Sequence, residues 1–285
     1  MPNVQIQDIL EKFVAKKAES FSLCTKTNIF AIVRVTFLGT GTSQGVPLIA
    51  CECEVCSSTS PFNKRLRVSV FIETEGKNLV IDTGPDFRYQ MLRAKITHLD
   101  GILITHEHKD HVAGLDDVRA FNYRQKEAMN VYADRRVHTT LNTDFHYAFA
   151  DFKYPGVPLI NLHEIANETF EAAVVKIVPI EVMHHLLPVF GFRINEFTYI
   201  TDAKTVSETE RLKIRGTKVL VVNALQKEKH ISHFTLEEAI AFAKDIGAEK
   251  TYFTHISHRM GKHEDISKEL PIGIELAYDG LVIDL

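Results

Sequence analysis

Residues 101–111 read Gly-Ile-Leu-Ile-Thr-His-Glu-His-Lys-Asp-His, an apolar run followed at once by a cluster of His and Asp. Its first half, residues 101–105, is a short apolar run of the kind that forms a buried strand. Its second half places three imidazoles and one carboxylate within six residues, at His106, His108, Asp110 and His111. Imidazole and carboxylate suit Zn, Mn or Fe. The pattern predicts a strand that delivers metal ligands rigidly to the turn behind it.

The spacing of these ligands favours two neighbouring cations. His106 and His108 alternate along the chain, so both side chains reach one cation. Asp110 and His111 lie one step further along and reach a second cation beside the first. Exposed helices also carry His and Asp, but four potential ligands directly after an apolar strand favour a metal site over a surface segment.

Other apolar runs predict a layered domain in which strands and helices interleave. Strands are predicted at residues 32–38, 68–73, 79–82, 174–180, 189–194, 198–201, 218–223 and 251–254, and a helical region at residues 134–150. Thr235 is a good N-cap, Glu238 is placed as its capping-box partner, and Gly247 is placed to end that helix. The architecture is therefore of the mixed α/β class.

Unusual polar residues follow several of these strands. Asp82, His106, Asp202 and His255 each come directly after an apolar run. Loops at one edge of a sheet can converge, so we expect these side chains to meet there.

The overall charge does not favour nucleic acid as a partner. The chain has 285 residues, 25% of them charged, and a formal net charge of −4, whereas broad nucleic-acid binders are usually basic. The basic stretch Lys64-Arg65-Leu66-Arg67 is interpreted as an ordinary solvated segment, unless it lies beside the site. No apolar run reaches the roughly 18 residues of a transmembrane helix, so no membrane partner is expected.

Three of the four cysteines crowd into Cys51, Cys53 and Cys56, whereas a secreted disulfide framework would spread them in pairs. The clustering indicates metal and a reducing compartment, and we expect a cytoplasmic protein. A closed zinc site needs a fourth ligand, for which His258 is a candidate three residues after His255. The alternative is three reduced, partly buried thiols.

Residues 1–30 form an N-terminal extension to a domain at residues 31–285 in this interpretation. Apolar residues at helical spacing predict a short amphipathic helix in the extension; they are Ile6, Ile9, Leu10, Phe13 and Val14.

The sequence His106-x-His108-x-Asp110-His111 resembles the signature of the metallo-β-lactamase superfamily. That resemblance implies an αββα sandwich, with two mixed β-sheets flanked by helices. It also implies that His184 completes the first metal site, Asp202 bridges the two metals and His255 completes the second site. Asp82 would support the site through hydrogen bonds to its ligands. His185 is adjacent to His184 and stays open as an alternative ligand.

A closer resemblance is to the PhnP-like phosphodiesterases, which act on phosphoribosyl cyclic phosphate. It rests on a Gly-Thr-Gly-Thr-Ser loop at residues 39–43, the cysteine trio, residues 64–67, residues 81–84, residues 191–193 and the pair His255-x-x-His258. It implies two catalytic divalent ions, Mn or Zn, and one structural zinc on the cysteine trio and His258. It also implies His233 as a general acid, with His230 as the competitor, so that the catalytic set is His233, Asp110 and Asp82.

The predicted function is hydrolysis of a small cyclic phosphodiester, with two ions that activate water. The first alternative is a tRNA 3′-end nuclease, although no long Lys-rich insertion that would grip tRNA stands out. A thioester or lactam hydrolase and a metal-sensing protein without turnover are further alternatives. The native metal, the exact substrate and a homodimeric state stay open.

Overall fold

Two seven-stranded β-sheets form the centre of the protein in the computed structural model, which describes residues 33–285. The first sheet has the order 14-1-2-3-4-5-6 and consists of β1 (Arg34–Gly39), β2 (Ser69–Thr74), β3 (Lys77–Ile81), β4 (Gly101–Leu103), β5 (Met129–Ala133), β6 (Ile160–Glu164) and β14 (Val282–Asp284). The second has the order 13-12-11-10-9-8-7 and consists of β7 (Phe170–Ala172), β8 (Val175–His184), β9 (Leu187–Ile194), β10 (Phe197–Tyr199), β11 (Val219–Asn223), β12 (Lys250–Thr254) and β13 (Ile274–Leu276).

The two sheets share one pattern of strand directions. In the first, β14, β1, β2 and β3 pair antiparallel, and β3 to β6 pair parallel. In the second, β7 to β10 pair antiparallel, and β10 to β13 pair parallel. In each sheet, the carboxyl ends of the parallel strands therefore lie at one edge, where loops can converge.

Helices cover the outer faces of the sheets. Between β3 and β6 lie α1 (Phe87–Ala94), α2 (Lys109–Val112), α3 (Arg119–Gln125), α4 (Arg135–Asp144) and α5 (His146–Phe149). Among the later strands lie α6 (Glu208–Ile214), α7 (Leu236–Ile246) and α8 (His263–Glu269). Single 3-10 turns occur at Pro61–Asn63, Leu115–Val118 and His258–Met260.

Alternation along the strands builds three cores. On β3, Leu79 and Ile81 face the core between the sheets, whereas Val80 faces the core under α1, α3 and α4. On β11, Val221 faces the core between the sheets, and Leu220 packs under α7. The resulting order of layers is helix, sheet, sheet, helix, so the predicted αββα sandwich is confirmed.

The predicted helix after Thr235 is confirmed in detail. The Thr235 hydroxyl accepts from the Glu238 amide, the Glu238 carboxylate accepts from the Thr235 amide, and Gly247 ends the helix with φ of +71°. The predicted helical region at residues 134–150 is two helices, α4 and α5, which meet at Phe145.

The N-terminal amphipathic helix and the predicted boundary at residue 30 lie outside the described residues, so both stay predictions. Within residues 33–285, no helix is long and apolar enough to cross a membrane.

Candidate metal centre

Loops from both sheets converge on one cluster of polar side chains. From the first sheet, Asp82 follows β3 and the motif at residues 105–111 follows β4. From the second sheet, His184 ends β8, Asp202 follows β10, His233 lies in the loop behind β11, and His255 follows β12. The expected meeting of these residues at the strand ends is what the structure shows.

Three of these residues have a left-handed backbone. Asp82, Asp202 and His255 have φ values of +64°, +58° and +54°. Asp82 and His255 directly follow β3 and β12, and Asp202 lies three residues after β10. For a non-glycine residue this conformation costs about 1–3 kcal/mol, and it persists only where the surroundings impose it. The cost indicates that the fold holds these side chains for the site rather than for its own stability.

Asp82 sets the proton positions of two histidines. Its carboxylate is fully buried and accepts from the Thr105 amide at 2.8 Å and from His111 Nδ1–H at 2.7 Å. The Thr105 hydroxyl also donates to the Asp82 carboxylate at 2.9 Å. The hydroxyl oxygen of Thr105 can then accept a hydrogen bond from His106 Nδ1–H at 3.0 Å. These contacts occupy Nδ1 of both rings, so Nε2 is the atom that each ring would offer to a metal.

A glycine lets the Asp82 segment approach the motif. A Cβ atom on Gly84 would lie 2.0 Å from the backbone oxygen of Asp110, which only glycine avoids. The Thr83 amide donates to the His111 carbonyl at 2.7 Å in the same contact. This close approach explains the Asp-Thr-Gly sequence at residues 82–84.

Three histidine rings form the first part of the cluster. Nε2 of His106 lies 2.9 Å from Nδ1 of His108, and the ring centre of His184 lies 5.8 and 5.3 Å from these two rings. His184 donates from Nδ1 to the carbonyl oxygens of Asp202 and Ser232, which leaves its Nε2 unprotonated. His184 is buried, whereas its neighbour His185 is exposed.

The second part of the cluster contains Asp110, His111, Asp202 and His255. Nε2 of His111 lies 3.2 Å from Asp110 and 3.4 Å from Asp202, and Nε2 of His255 lies 3.3 Å from Asp202. Despite this proximity, Nε2 of His111 and both ring nitrogens of His255 are buried without a hydrogen-bond partner among the described residues.

These residues fit a metal centre. Two ligands bound to one ion at about 2.0–2.1 Å each lie roughly 3.0–3.4 Å apart, and the separations around His111 match that range. Groups of potential ligands within 4.8 Å of one another are His106–His111–Asp202, Asp110–His111–His255 and His184–Asp202–His233. Orphaned nitrogens beside carboxylates are the arrangement that a bound cation would satisfy.

The charges of the cluster also favour a bound cation. Burial raises the pKa of the Asp202 carboxyl, but the neighbouring His255 and His111 outweigh it and hold that pKa well below its usual range. The pKa of Asp110 is likewise low, because His111 overcomes the effect of burial. Burial lowers the pKa of His106 well below its usual range, so that ring stays neutral. Asp110, Asp82 and Asp202 overcome the effect of burial on His111 and raise its pKa well above the usual value. The ionised carboxylates thus favour positive charge at this place, which a bound cation would supply.

His233 reaches the same cluster. Its Nε2 lies 3.0 Å from Asp202 Oδ1, and its ring is stacked on His255 with centres 4.8 Å apart. Its Nδ1 lies 3.0 Å from Ser232 Oγ and 3.1 Å from Nδ1 of His230, which is only half-buried. His233 therefore lies closer to the candidate ligands than the sequence indicated.

The cysteine trio and His258 come together at a separate place. The Sγ atoms of Cys51, Cys53 and Cys56 lie 3.3, 3.4 and 3.6 Å from Nδ1 of His258. Hydrogen bonding from the Cys56 amide lowers the pKa of Cys53 to about 6, whereas burial raises that of Cys56 to about 11. Four converging donors, three of them sulfur, fit a tetrahedral zinc site.

The interpretation of residues 64–67 as a solvated stretch is wrong for Arg65. Its side chain is buried, donates to Thr40 Oγ1 at 2.7 Å and to the Ala277 carbonyl, and lies 3.0 Å from Nδ1 of His263. Burial lowers its pKa to about 10. Asp279 compensates its charge, and such a long-range partner is invisible in the sequence.

Two ion pairs that hold the motif loop were not predicted from the sequence. Glu107 lies 3.8 Å from Nη1 of Arg136, which also donates to the Pro188 carbonyl behind the His184 turn. Lys109 pairs with Asp144 at the other end of the same helix, α4. The only signal was that both residues between the ligands are charged. Helix α4 therefore holds the loop at two points.

Comparisons with known proteins agree with this geometry. The family described as "Beta-lactamase superfamily domain" matches residues 77–256. The crystal structure of a diphosphatase from the PhnP family is 37% identical and superimposes with a TM-score of 0.84, covering 89% of this chain and 97% of that one.

Curated relatives are longer than the matching region. An octanoyltransferase from Porphyromonas gingivalis is 39% identical over 252 residues, which is 87% of this chain and 51% of that protein. A ribonuclease Z from Archaeoglobus fulgidus is 32% identical over 109 residues, 36% of this chain and 30% of that protein. The chain thus spans about half or less of these relatives.

The motif, the two-sheet sandwich and the PhnP-family match lead to one conclusion. The chain belongs to the metallo-β-lactamase superfamily of metal-dependent hydrolases and, within it, to the PhnP family.

Proposed function

We propose that this protein is a phosphodiesterase that hydrolyses a small cyclic phosphodiester, such as a phosphoribosyl or nucleotide cyclic phosphate. The observation that carries the proposal is the position of His233. Its Nε2 lies 3.0 Å from Asp202, at a cluster able to hold two cations. A proton donor beside a strongly positive centre suits cleavage of an anionic ester with a poor leaving group.

The proposal assigns the ligands in two sets. His106, His108 and His184 would hold the first ion; Asp110, His111 and His255 the second; and Asp202 would bridge them. Burial of His184 and exposure of His185 support His184 as the ligand. Divalent Mn or Zn in these sets would lower the pKa of water and offset charge on the phosphoryl oxygens.

The remaining chemistry belongs to the chain's own side chains. Asp82, directly for His111 and through Thr105 for His106, would hold Nδ1 of each ring so that Nε2 faces the ions. His233 donates its proton to the departing alkoxide oxygen, and its contact with Asp202 orients the ring for that transfer. His230 lies beside His233, with the two Nδ1 atoms 3.1 Å apart.

A structural zinc on Cys51, Cys53, Cys56 and His258 completes the proposal. All three thiols are free of disulfides, which supports a reducing, cytoplasmic setting. The site connects residues 51–56 with the loop that carries His255, and so supports the catalytic ligands indirectly.

The first test is hydrolysis of bis-p-nitrophenyl phosphate and of a ribose cyclic phosphate, with Mn or Zn supplied. Asp110→Ala should lose most of the rate and bind one ion less. Asp265→Ala removes an exposed carboxylate that pairs with Lys268, and should change neither quantity. Wild-type activity in Asp110→Ala would contradict the assignment of a two-ion centre. Turnover of an octanoyl thioester or a tRNA precursor, with no turnover of the phosphodiesters, would replace the proposed substrate class.

The second test concerns the leaving group. An alkoxide needs a proton in the transition state, whereas p-nitrophenolate leaves without one. His233→Ala should therefore lose about 10²–10⁴-fold on the cyclic phosphate and much less on the activated ester. His230→Ala is the matched control, since this ring touches His233 but not Asp202. Equal losses on both substrates would refute proton donation by His233.

A further inference from the structure

An exposed aromatic patch lies outside the candidate metal centre. Tyr123 on α3 and Phe152 and Tyr154 in the loop before β6 are 80%, 86% and 75% exposed. Large aromatic rings that stay in solvent together commonly mark a binding surface. None of these residues has a part in the hydrolysis proposed above.

The patch borders a defined cavity of about 500 Å³, called here the α3 pocket. Tyr123, Tyr154, Arg119, Lys126 and Lys153 line it, together with Asn122, Pro155, Gly156, Val157 and Leu159. Buried Asn122 fixes its shape, because its amide group donates to the carbonyls of Glu127 and Leu159 and accepts from the Leu159 amide at 2.9 Å. Asn122 therefore ties Leu159, on one side of the pocket, to α3.

The charge of the α3 pocket is positive. Three cations line it, and no acidic side chain is among the described residues of its wall. Nζ of Lys126 lies 4.1 Å from the ring centre of Tyr123, so a cation is already placed beside an aromatic face. Arg119 is partly neutralised by Asp116 at 3.0 Å, which leaves Lys126 and Lys153 as the main positive groups.

We propose that the α3 pocket binds a nucleoside phosphate, with the base stacked on a tyrosine ring and the phosphate on Lys126 and Lys153. Tyrosine faces stack on any base, and lysines bind phosphate as point charges. The cavity volume admits one nucleotide. A free nucleotide and the end of a single strand present the same chemistry, and the experiment below separates them.

The test measures binding of AMP by equilibrium dialysis, and of a labelled thymidine octamer with phosphorothioate linkages by anisotropy. Stacking on an aromatic ring is worth about 1–3 kcal/mol per base, so Tyr123→Ala and Tyr154→Ala should weaken binding roughly 5- to 150-fold. Lys126→Gln should weaken it and flatten its salt dependence. Tyr89→Ala is the matched control, because Tyr89 is also exposed and carries a cation, Arg93, at 5.9 Å from its ring centre.

Each outcome decides the matter. If AMP displaces the octamer from the wild type and AMP binding is lost in Tyr123→Ala, the pocket is a site for a free nucleotide. If only the octamer binds, the pocket is a site for a single strand. The idea is overturned if neither probe binds, if Tyr89→Ala loses as much as Tyr123→Ala, or if the wild type is a dimer that Tyr154→Ala dissociates in sedimentation. Hydrolysis of the cyclic phosphate should be unchanged in Tyr123→Ala, so this result is independent of the proposed activity.

Discussion

Asp82→Asn should impair the metal centre without emptying the cysteine site. In the wild type, one carboxylate oxygen accepts from the Thr105 amide at 2.8 Å, and the other accepts from His111 Nδ1–H at 2.7 Å. Asparagine has only one acceptor oxygen. If its NH₂ faces His111, that ring must move its proton to Nε2 and loses the lone pair that binds metal. If the NH₂ faces Thr105 instead, two donors oppose each other in a buried place.

The magnitude follows from either orientation. A hydrogen bond to a charged group contributes about 1.5–3 kcal/mol, which corresponds to roughly 10- to 150-fold in a binding constant. Loss of a group that orients a metal ligand typically weakens metal binding about 10–100-fold. We therefore expect Asp82→Asn to bind metal at the candidate centre about 10–100-fold more weakly than the wild type.

The assay is competition with a chromogenic chelator, followed by counting of the metal retained per chain. Asp279→Asn is the matched control, because the Asp279 side chain is also buried, at only 5% exposed. Like Asp82, it accepts several hydrogen bonds, from the Thr40 hydroxyl, the Leu66 amide and the Arg93 guanidinium. This control should lower stability but leave the metal affinity of the histidine centre intact. Unchanged affinity in Asp82→Asn, or an equal loss in Asp279→Asn, would show that the Asp82 carboxylate does not control metal binding in this way.

Three further predictions concern the supports of the site. Cys53→Ser should remove one zinc per chain and lower the melting temperature, since a closed zinc site contributes folding energy; unchanged zinc content would contradict it. Arg136→Ala should weaken metal binding at the histidine centre but not at the cysteines, and Arg136→Lys should restore part of it; equal metal content in all three proteins would count against the role of α4. Burial, helped by Arg65, lowers the pKa of His263 to about 4. The unfolded state therefore binds more protons than the folded state below about pH 6.5. The free energy of unfolding that this group contributes falls by about 1 kcal/mol between pH 7 and pH 5, after allowance for its partial exposure. Urea titrations of the wild type and His263→Gln at both pH values should show the smaller fall in the variant.

The motif at residues 101–111 was predictable because a strand and the turn behind it are local features. The choice between His184 and His185 was not. On β8, Val175 and Ile177 face the core between the sheets, while Ile180 and Val182 face the core under the helices. Because the buried face changes partway along this strand, alternation that starts at Val175 does not carry through to the two adjacent histidines.

Long-range partners limited the rest of the prediction. The sequence placed His233 just before a helix, but its contact with Asp202 depends on how two separate loops pack together. Arg65 looked like part of a solvated basic stretch because its compensating groups lie some 200 residues away, at Ala277 and Asp279. Pairing across such distances is a property of the assembled sheets rather than of any segment.

Both candidate metal sites lie at the seam, the place where loops from the two sheets meet, and this has a consequence for how the fold assembles. The first sheet supplies Asp82, His106 and Asp110, and the second supplies Asp202 and His255. The cysteines likewise come from one side of the seam, and His258, three residues after His255, from the other. Either half alone presents an incomplete set of donor atoms at both places. Under the proposed metal assignment, metal content would therefore report whether the two halves have packed together, and a chain in which they have not would hold no metal at either place.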